Sequence, residues 1–495
     1  MEKEPVLSFV VPVYQKPPEV FEKCLASLYD GSLKDIEVIC VFDGPNPELK
    51  VIAENYKKTL IFEIEHGGAP KARNYGLDMA KGKYVCFWDA DCVIKPDTAA
   101  RWIQEFDATG ADFVYTGYEF SGERGGYGSE QYDRHSLECG NFISTMSPIL
   151  RSKAPRWDEA LKGAQDWDYW LTATENGCVP AYIEGSGFVT EMPDRTSISA
   201  GAWSPERRDE TIRVVKEKHN IPIRDVAVTS FRHFVKGLHL AKMLNADIVK
   251  SSGFPLSKYK VIFNLGYGEY IRFPGAKSDA VKIHYWLPWD IDCIYAIAYK
   301  TARESLKLAK ADVTYHFTED IASKKRLEDL GIEAEIMPLP TDIKDSDLET
   351  VLPEKFRVLV DADKAYKPVF LDIPKALPNF EVDFIDEMHN QAPISKYSVL
   401  LSFRESPCVD EGIKRFLLNG RYVISNVQSP FCGYVDMAVS HGSFKNEIIN
   451  KLFDLKAEPF NKKAQGYYKS LVTPERFVEK IRLLYPKIKM EVANV

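Results

Sequence analysis

Hydrophobic and polar positions alternate in blocks along the first 120 residues. Short runs rich in Val, Ile and Phe, at Val6–Tyr14, Ile36–Gly44, Leu60–His66, Tyr84–Asp91 and Asp112–Phe120, are separated by stretches whose apolar residues recur at helical spacing. That alternation predicts an α/β architecture with a mostly parallel sheet covered by helices on both faces. Ligands of such sheets bind outside the carboxyl ends of the strands. Three predicted strand ends carry chemistry: VPVYQ after the first, FDG with Asp43 after the second, and DAD at Asp89–Asp91 after the fourth.

Further on, the polar, glycine-rich stretch Ser121–Asp133 predicts a mobile loop, and Gln165–Asn176 predicts a helix ending at Gly177, a natural C-cap. A charged helix at Pro205–His219 closes the first unit. From about Val226 the pattern restarts, with strands expected at Lys260–Leu265, Ala280–Tyr285 and Asp312–Phe317 and a long helix around Ile294–Ala309. A last series has strands at Phe356–Val360, Val382–Ile385, Tyr397–Leu401 and Tyr422–Ser425. Between these two series, PTDIKDSDLETVLPEK is acidic and bounded by prolines, as a linker would be. The expected domains are therefore 1–225, 226–345 and 346–495.

Composition narrows the class. A chain of 495 residues exceeds one ordinary core, and 45% hydrophobic with 27% charged residues is the balance of a water-soluble globular protein. No stretch reaches the roughly 20 apolar residues of a membrane span, and MEKEPVLSFVVPVY lacks the basic segment of a secretory signal. Nine scattered cysteines with no CxxC spacing fit reduced thiols and a cytoplasmic location. A net charge of -8 speaks against a general nucleic-acid or anionic-membrane binder, leaving nucleic acid as an acceptor only.

In an extended strand Asp89 and Asp91 would point the same way and share one divalent cation, Mg²⁺ or Mn²⁺, with substrate phosphates completing the shell. Aspartate is also a common turn residue, so the spacing alone does not decide. The segments LSFVVPVYQKPPEVFEKCLASL, IEVICVFDG, HGGAPKARNYGLDMAKGKYVCFWDADC and QDWDYWL do more. In order and spacing they resemble family 2 inverting glycosyltransferases of the GT-A fold, over about the first 200 residues. The resemblance implies that Pro12, Val13 and Tyr14 line a base pocket and that Asp43 accepts from the base or ribose. It further implies that Arg73 contacts a nucleotide-diphosphate sugar, a uridine nucleotide being the commoner case, and that Asp89 and Asp91 hold the metal. A hydroxyl-bearing acceptor needs a base, and the family's helix-start carboxylate corresponds to Asp166. Gln165 stands where the family usually has an acidic residue. Positions two apart on a helix turn by about 200°, so Asp166 and Asp168 cannot both face one substrate.

Trp157 and Trp167 are candidates to stack on an acceptor sugar, with core packing as the alternative and the favoured reading for Trp170. Arg195, in EMPDRTSIS, is a candidate phosphate contact. The second half bears a fainter resemblance to GT-B glycosyltransferases through VLLSFRESPCVDEGIKRFLLNGRYVISN, where Glu405 and Gly420 fall in place while Ile413 and Tyr422 depart from the pattern. That half is expected to form two Rossmann-like units. It is read as a second active site, an acceptor platform or a structural partner. Two readings compete with a transferase: a nucleotidyltransferase, which would need a glycine-rich phosphate loop that VPVYQKPPEV lacks, and a nucleotide- or sugar-binding protein derived from a transferase.

Overall fold

A computed structural model divides the chain into two units, Met1–Ile223 and Arg224–Val495. It describes residues 4–56, 58–121, 129–190, 205–230, 234–249, 256–266 and 279–287. Beyond these it describes 291, 306–307, 310–311, 313–340, 356–362, 370–371, 374, 381–385, 394–403, 411–426, 432–435, 441–455, 461–472, 477–479, 481 and 483. Most of the glycine-rich loop, most of the Ile294–Ala309 helix, all but the first residue of the acidic linker, Arg195 and Glu405 lie outside the described residues.

The first unit runs β1 (Leu7–Val13), α1 (Pro18–Asp30), β2 (Ile36–Asp43), α2 (Pro47–Glu54), β3 (Thr59–Ile64) and α3 (Ala69–Met79). Next come β4 (Tyr84–Phe87), β5 (Cys92–Ile94), α4 (Thr98–Thr109), β6 (Phe113–Phe120), α5 (Arg134–Cys139) and β7 (Ile149–Leu150). The unit closes with α6 (Gln165–Glu175), β8 (Pro180–Thr190) and α7 (Pro205–Lys218). Among the described residues the strands form one sheet in the order β3-β2-β1-β4-β7-β6-β8-β5. The strands β3, β2, β1 and β4 are mutually parallel, while β7 and β5 pair antiparallel to their neighbours. Two hydrophobic clusters, one on each face, account for the apolar runs: Phe9, Val11 and Val13 of β1 belong to one, Val10 to the other.

The central strand outlasts its neighbour. β4 pairs with β1 only from Leu7↔Tyr84 to Val10↔Phe87, whereas β2 follows β1 as far as Val13↔Phe42. Trp88 N–H still donates to Val10 O at 2.8 Å, and there the ladder on that side stops. Backbone groups of Val10 and Pro12 face the same side, so the missing N–H of Pro12 falls where no strand remains to accept it. The result is a crevice at the carboxyl end of β1. Helix α3 lies close over it because Gly76 has no side chain: a Cβ there would come within 2.2 Å of Val10 Cγ1.

This changes one expectation. The strand predicted to run through Asp91 ends at Phe87. Cys92 N–H donates to Asp89 O at 3.1 Å and closes a turn over Asp89–Cys92, with the Trp88 indole N–H on Cys92 O at 3.1 Å. The strand alternation invoked for the two aspartates does not apply, and a turn brings them to the crevice instead.

In the second unit β9 (Val226–Thr229), α8 (Phe234–Met243), β10 (Asp247–Val249), β11 (Val261–Leu265), β12 (Val281–Trp286), β13 (Tyr315–Thr318), α9 (Ile321–Asp329) and β14 (Glu335–Ile336) build a parallel sheet, β10-β9-β11-β12-β13-β14. A second parallel sheet, β16-β15-β17-β18-β19, comes from β15 (Arg357–Ala362), β16 (Glu381–Phe384), β17 (Val399–Phe403), α10 (Glu411–Leu418), β18 (Tyr422–Ser425) and β19 (Cys432–Tyr434). Strands β9, β10, β14 and β19 of this unit, like β5, β7 and β8 of the first, are not among those expected from the sequence. Gly420 ends α10 in the left-handed region at φ 66°, with Arg421 N–H on Phe416 O at 2.8 Å. At the end of β12, His284, Tyr285 and Trp286 are buried, and burial lowers His284 to about 3. Among the described residues no helix is long and apolar enough to cross a membrane.

Candidate functional site

Asp43 ends β2 and is 3% exposed. Its Oδ1 accepts from Gly67 N–H at 2.7 Å and its Oδ2 from Gly68 N–H at 2.9 Å. Gly68, at φ 94°, begins α3 in a backbone conformation that a side chain would strain. The carboxylate thus holds the turn that launches α3, and His66 Nδ1 stands 3.0 Å from Oδ2. His66 stacks on Tyr14, ring centroids 4.6 Å apart and planes 19° apart, so the end of β1 and the end of β3 meet in two flat rings. Tyr14 is 47% exposed, while Val13 is fully buried and Pro12 half-buried. Of the three residues, Tyr14 alone presents a ring to solvent.

One turn into α3, Arg73 is buried and its Nη2 donates to Asp89 Oδ1 at 2.9 Å. Its guanidinium carbon also sits 4.4 Å from the Trp157 ring centroid, while Tyr169 stacks on that indole at 4.3 Å. Two groups so close to one ring centre must occupy opposite faces. Trp157 is 3% exposed and Trp167 is 4% exposed, with its indole N–H on Leu137 O at 2.6 Å. Neither indole leaves a face for a sugar in this structure, which corrects the acceptor-stacking expectation: both belong to the core, as does Trp170.

Asp91, the second carboxylate of the turn, is paired with Lys16 from the segment after β1. Burial alone would lower the Lys16 ammonium, but the charge and hydrogen bond of Asp91 and the charge of Asp89 outweigh it and raise it. Both aspartates therefore lie close to one cation, with about a third of each side chain open to solvent. Two adjacent carboxylates are hard oxygen ligands of the kind that hold Mg²⁺ or Mn²⁺ when phosphates supply the rest. Among the described residues no group of three or more His, Cys, Asp or Glu side chains could hold a metal ion. The donor set suits a substrate-bridged ion, not an all-protein cage.

Asp166 lies in the first turn of α6, after Ala164 in the left-handed region at φ 49°. Its Oδ1 accepts from Trp167 N–H at 3.0 Å and its Oδ2 from the Asn141 amide at 2.8 Å. Desolvation raises this carboxyl above the ordinary aspartate range, against the pull of Trp167 N–H, Asn141 and the nearby Arg73 charge. Asp168 is different: it is 2% exposed and turned the other way, onto Lys218 Nζ at 2.8 Å and His219 Nε2 at 2.9 Å. One helix thus carries a carboxylate linked to the Arg73 side and, two residues on, a carboxylate in an ion-pair network.

Sequence reasoning passed over four positioning residues. Lys16 and His66 had no signal, because their partners are remote in the chain. Asn141 lies in an irregular segment without a period. Asn74 adjoins a candidate and was visible in the ARN triplet: its amide donates to Trp157 O at 2.9 Å and Glu159 Oε1 at 2.8 Å, and its Oδ1 accepts from Trp157 N–H at 2.9 Å. It fixes the support under Arg73.

Comparison with known proteins places these features in a family. Residues 8–158 match the model of glycosyl transferase family 2. The uncharacterized glycosyltransferase RP339 of Rickettsia prowazekii is 30% identical over 318 residues, 57% of this chain and 96% of that protein. The uncharacterized glycosyltransferase EpsJ of Bacillus subtilis is 34% identical over 229 residues, so this chain spans 62% of its length. Among solved structures, S. aureus TarS 1-349 in complex with UDP-GlcNAc is 20% identical with a TM-score of 0.36, covering 43% of this chain and 66% of that one. The mannosyltransferase PcManGT from Pyrobaculum calidifontis, in complex with GDP-Man and Mn2+, is 18% identical with a TM-score of 0.34, covering 45% and 66%. The family match contains Asp43, Arg73 and the Asp89–Asp91 turn, and RP339 is matched along nearly all its length: the chain belongs to glycosyltransferase family 2.

Proposed function

We propose that the unit Met1–Ile223 is a metal-dependent inverting glycosyltransferase that moves a sugar from a nucleotide-diphosphate sugar, a UDP-sugar first among donors, to an acceptor hydroxyl. One observation carries this reading. The ends of β1, β2 and β4 carry Tyr14, Asp43, Asp89 and Asp91 and the first turns of α3 carry Arg73 onto Asp89, with Asp166 within reach of the Arg73 charge. The stacked rings of Tyr14 and His66 offer a surface for a base, and the second lone pairs of Asp43 can accept from a base N–H or a ribose hydroxyl. Arg73, already directed at Asp89, supplies fixed positive charge for a diphosphate. Asp89 and Asp91 would hold Mn²⁺ or Mg²⁺, which neutralises the negative charge that develops on a departing diphosphate.

Asp166 accepts the acceptor's proton. A carboxyl raised above its usual range is a stronger base than an exposed aspartate. Attack from the face opposite the leaving group inverts the anomeric centre in a single displacement. The acceptor is a hydroxyl of a glycan, a lipid-linked sugar, a protein or a modified base. Free thiols among the described residues support a cytoplasmic location, and the parallel sheets of 226–345 and 346–495 support two Rossmann-like domains there.

Release of nucleoside diphosphate from a panel of UDP- and GDP-sugars, with Mn²⁺, Mg²⁺ or EDTA, tests the reading on the full chain. Metal-dependent turnover lost in Asp91→Ala and in Asp166→Asn, with donor binding kept in the latter, supports it. Turnover that survives both changes overturns it.

A further inference from the structure

The carboxylate on the back of α6 is held by an arrangement the proposed reaction does not use. His219, directly after α7, is buried, and both its ring nitrogens meet carboxylates: Nε2 lies 2.9 Å from Asp168 Oδ1 and Nδ1 lies 2.7 Å from Glu175 Oε2. A neutral imidazole carries one ring hydrogen, so its other nitrogen would turn a lone pair onto a carboxylate oxygen. With both carboxylates ionised, the contacts are met by the imidazolium. Asp168 and Glu175 are seven residues apart, two turns of one face, so the ring spans α6 from its first turn to its last residue.

Around it, Lys218 joins Asp168 to Asp158 at 2.8 and 2.7 Å, and Arg134 on α5 meets Glu175 at 2.9 Å, Glu138 at 3.1 Å and Thr174 at 2.9 Å. Tyr132 also borders Arg134 and Thr174. Asp158 follows Trp157, the residue beneath Arg73.

We propose that His219 is a positioning residue for glycosyl transfer: as an imidazolium bridging Asp168 and Glu175 it fixes the rotation of α6, and with it the aim of Asp166. The geometry is that of a lever. Asp166 and Asp168 are separated by about 200° around the helix axis, so anchoring one at the back sets the direction of the other at the front. This inference rests on Asp166 as the base. Burial alone would lower the His219 imidazolium, but hydrogen bonds and charges from Asp168 and Glu175 raise it above its usual 6.5. With both carboxylates ionised, the clamp therefore opens as pH rises through the folded-state value of the imidazolium.

The test uses the full chain and the best donor from the panel. In His219→Gln, whose amide cannot donate to both carboxylates through two fixed ring atoms, kcat for diphosphate release is expected to fall at least tenfold with donor Kd within twofold of wild type. In Glu175→Gln, which keeps an acceptor but removes a charge, the alkaline limb of kcat is expected to move to lower pH. Nitrogen NMR of His219 in the wild type should show both ring nitrogens protonated at pH 6; one unprotonated nitrogen there overturns the clamp, as does unchanged kcat in both variants. Should His219→Gln fail to fold, Glu175→Gln and the NMR signal decide. An active Asp166→Asn sinks the base assignment itself, whereas an inactive Asp166→Asn beside a fully active His219→Gln sinks only the positioning role.

Discussion

Two aspartates on one helix should behave oppositely when neutralised, and the structure gives the size of each effect. Asp166→Asn removes a half-buried carboxylate that accepts hydrogen bonds from Trp167 N–H and the Asn141 amide and, among the described residues, has no ion-pair partner. A positioned general base contributes roughly 10²- to 10⁴-fold, so kcat should fall by that factor, about 3–5 kcal/mol in activation free energy. Because the folded state raises this carboxyl, its ionised form is disfavoured by folding. The sign follows: wild-type stability falls as pH rises from the unfolded to the folded value, and Asp166→Asn should not share that fall. Activity follows the ionised form, so the acid limb of kcat lies above where an exposed aspartate would put it, and the limb disappears in the variant. Asp168→Asn instead strips the charge facing the buried His219 and the exposed Lys218. Breaking a buried pair costs on the order of 3 kcal/mol. For a unit of this size that is about 6–12 °C in Tm, at 2–4 °C per kcal/mol. Diphosphate release across pH 4–9 and thermal melting of both variants form the assay. A kcat for Asp166→Asn within threefold of wild type, or a Tm for Asp168→Asn within 2 °C, refutes the reasoning.

Other consequences are equally direct. Asn74→Ala removes three hydrogen bonds and strands the buried N–H and C=O of Trp157; a loss of about 2–4 kcal/mol follows, read as a lower melting temperature, and an unchanged melt contradicts it. Gly76→Ala drives a Cβ to within 2.2 Å of Val10 Cγ1 and should cost about 1–3 kcal/mol by overpacking, with donor affinity weakened because α3 carries Arg73; a variant as stable as wild type shows that β1 and α3 are not so closely packed. In the second unit Lys414 and Glu319, each 2% exposed, form an ion pair at 2.8 Å. Lys414→Met alone should destabilise by roughly 3–5 kcal/mol, and the double variant Lys414→Met/Glu319→Leu should recover most of it in denaturant melts. A double variant no better than the single one shows that the pair is not the source of the loss.

How much of this was written in the sequence differs residue by residue. The alternation β1-α1-β2-α2-β3-α3-β4, the strand-end position of Asp43 and the helix-start position of Asp166 follow from local periodicity, which depends on residues a few positions apart. Those features could be read directly. What the tertiary structure decided is everything set by distant partners. Asp91 finds Lys16 across 75 residues and Asp168 finds His219 across 51. No pattern in the chain announces either pairing. Side-chain alternation predicted a shared face for Asp89 and Asp91, yet that rule holds only while the strand continues, and β4 ends at Phe87, next to where Pro12 of β1 has no N–H to extend the ladder. The exposure of the tryptophans was undetermined for the same reason. Amphipathic rings suit a sugar or a core equally well, and only the packing of Arg73 and Tyr169 against opposite faces of Trp157 chose the core.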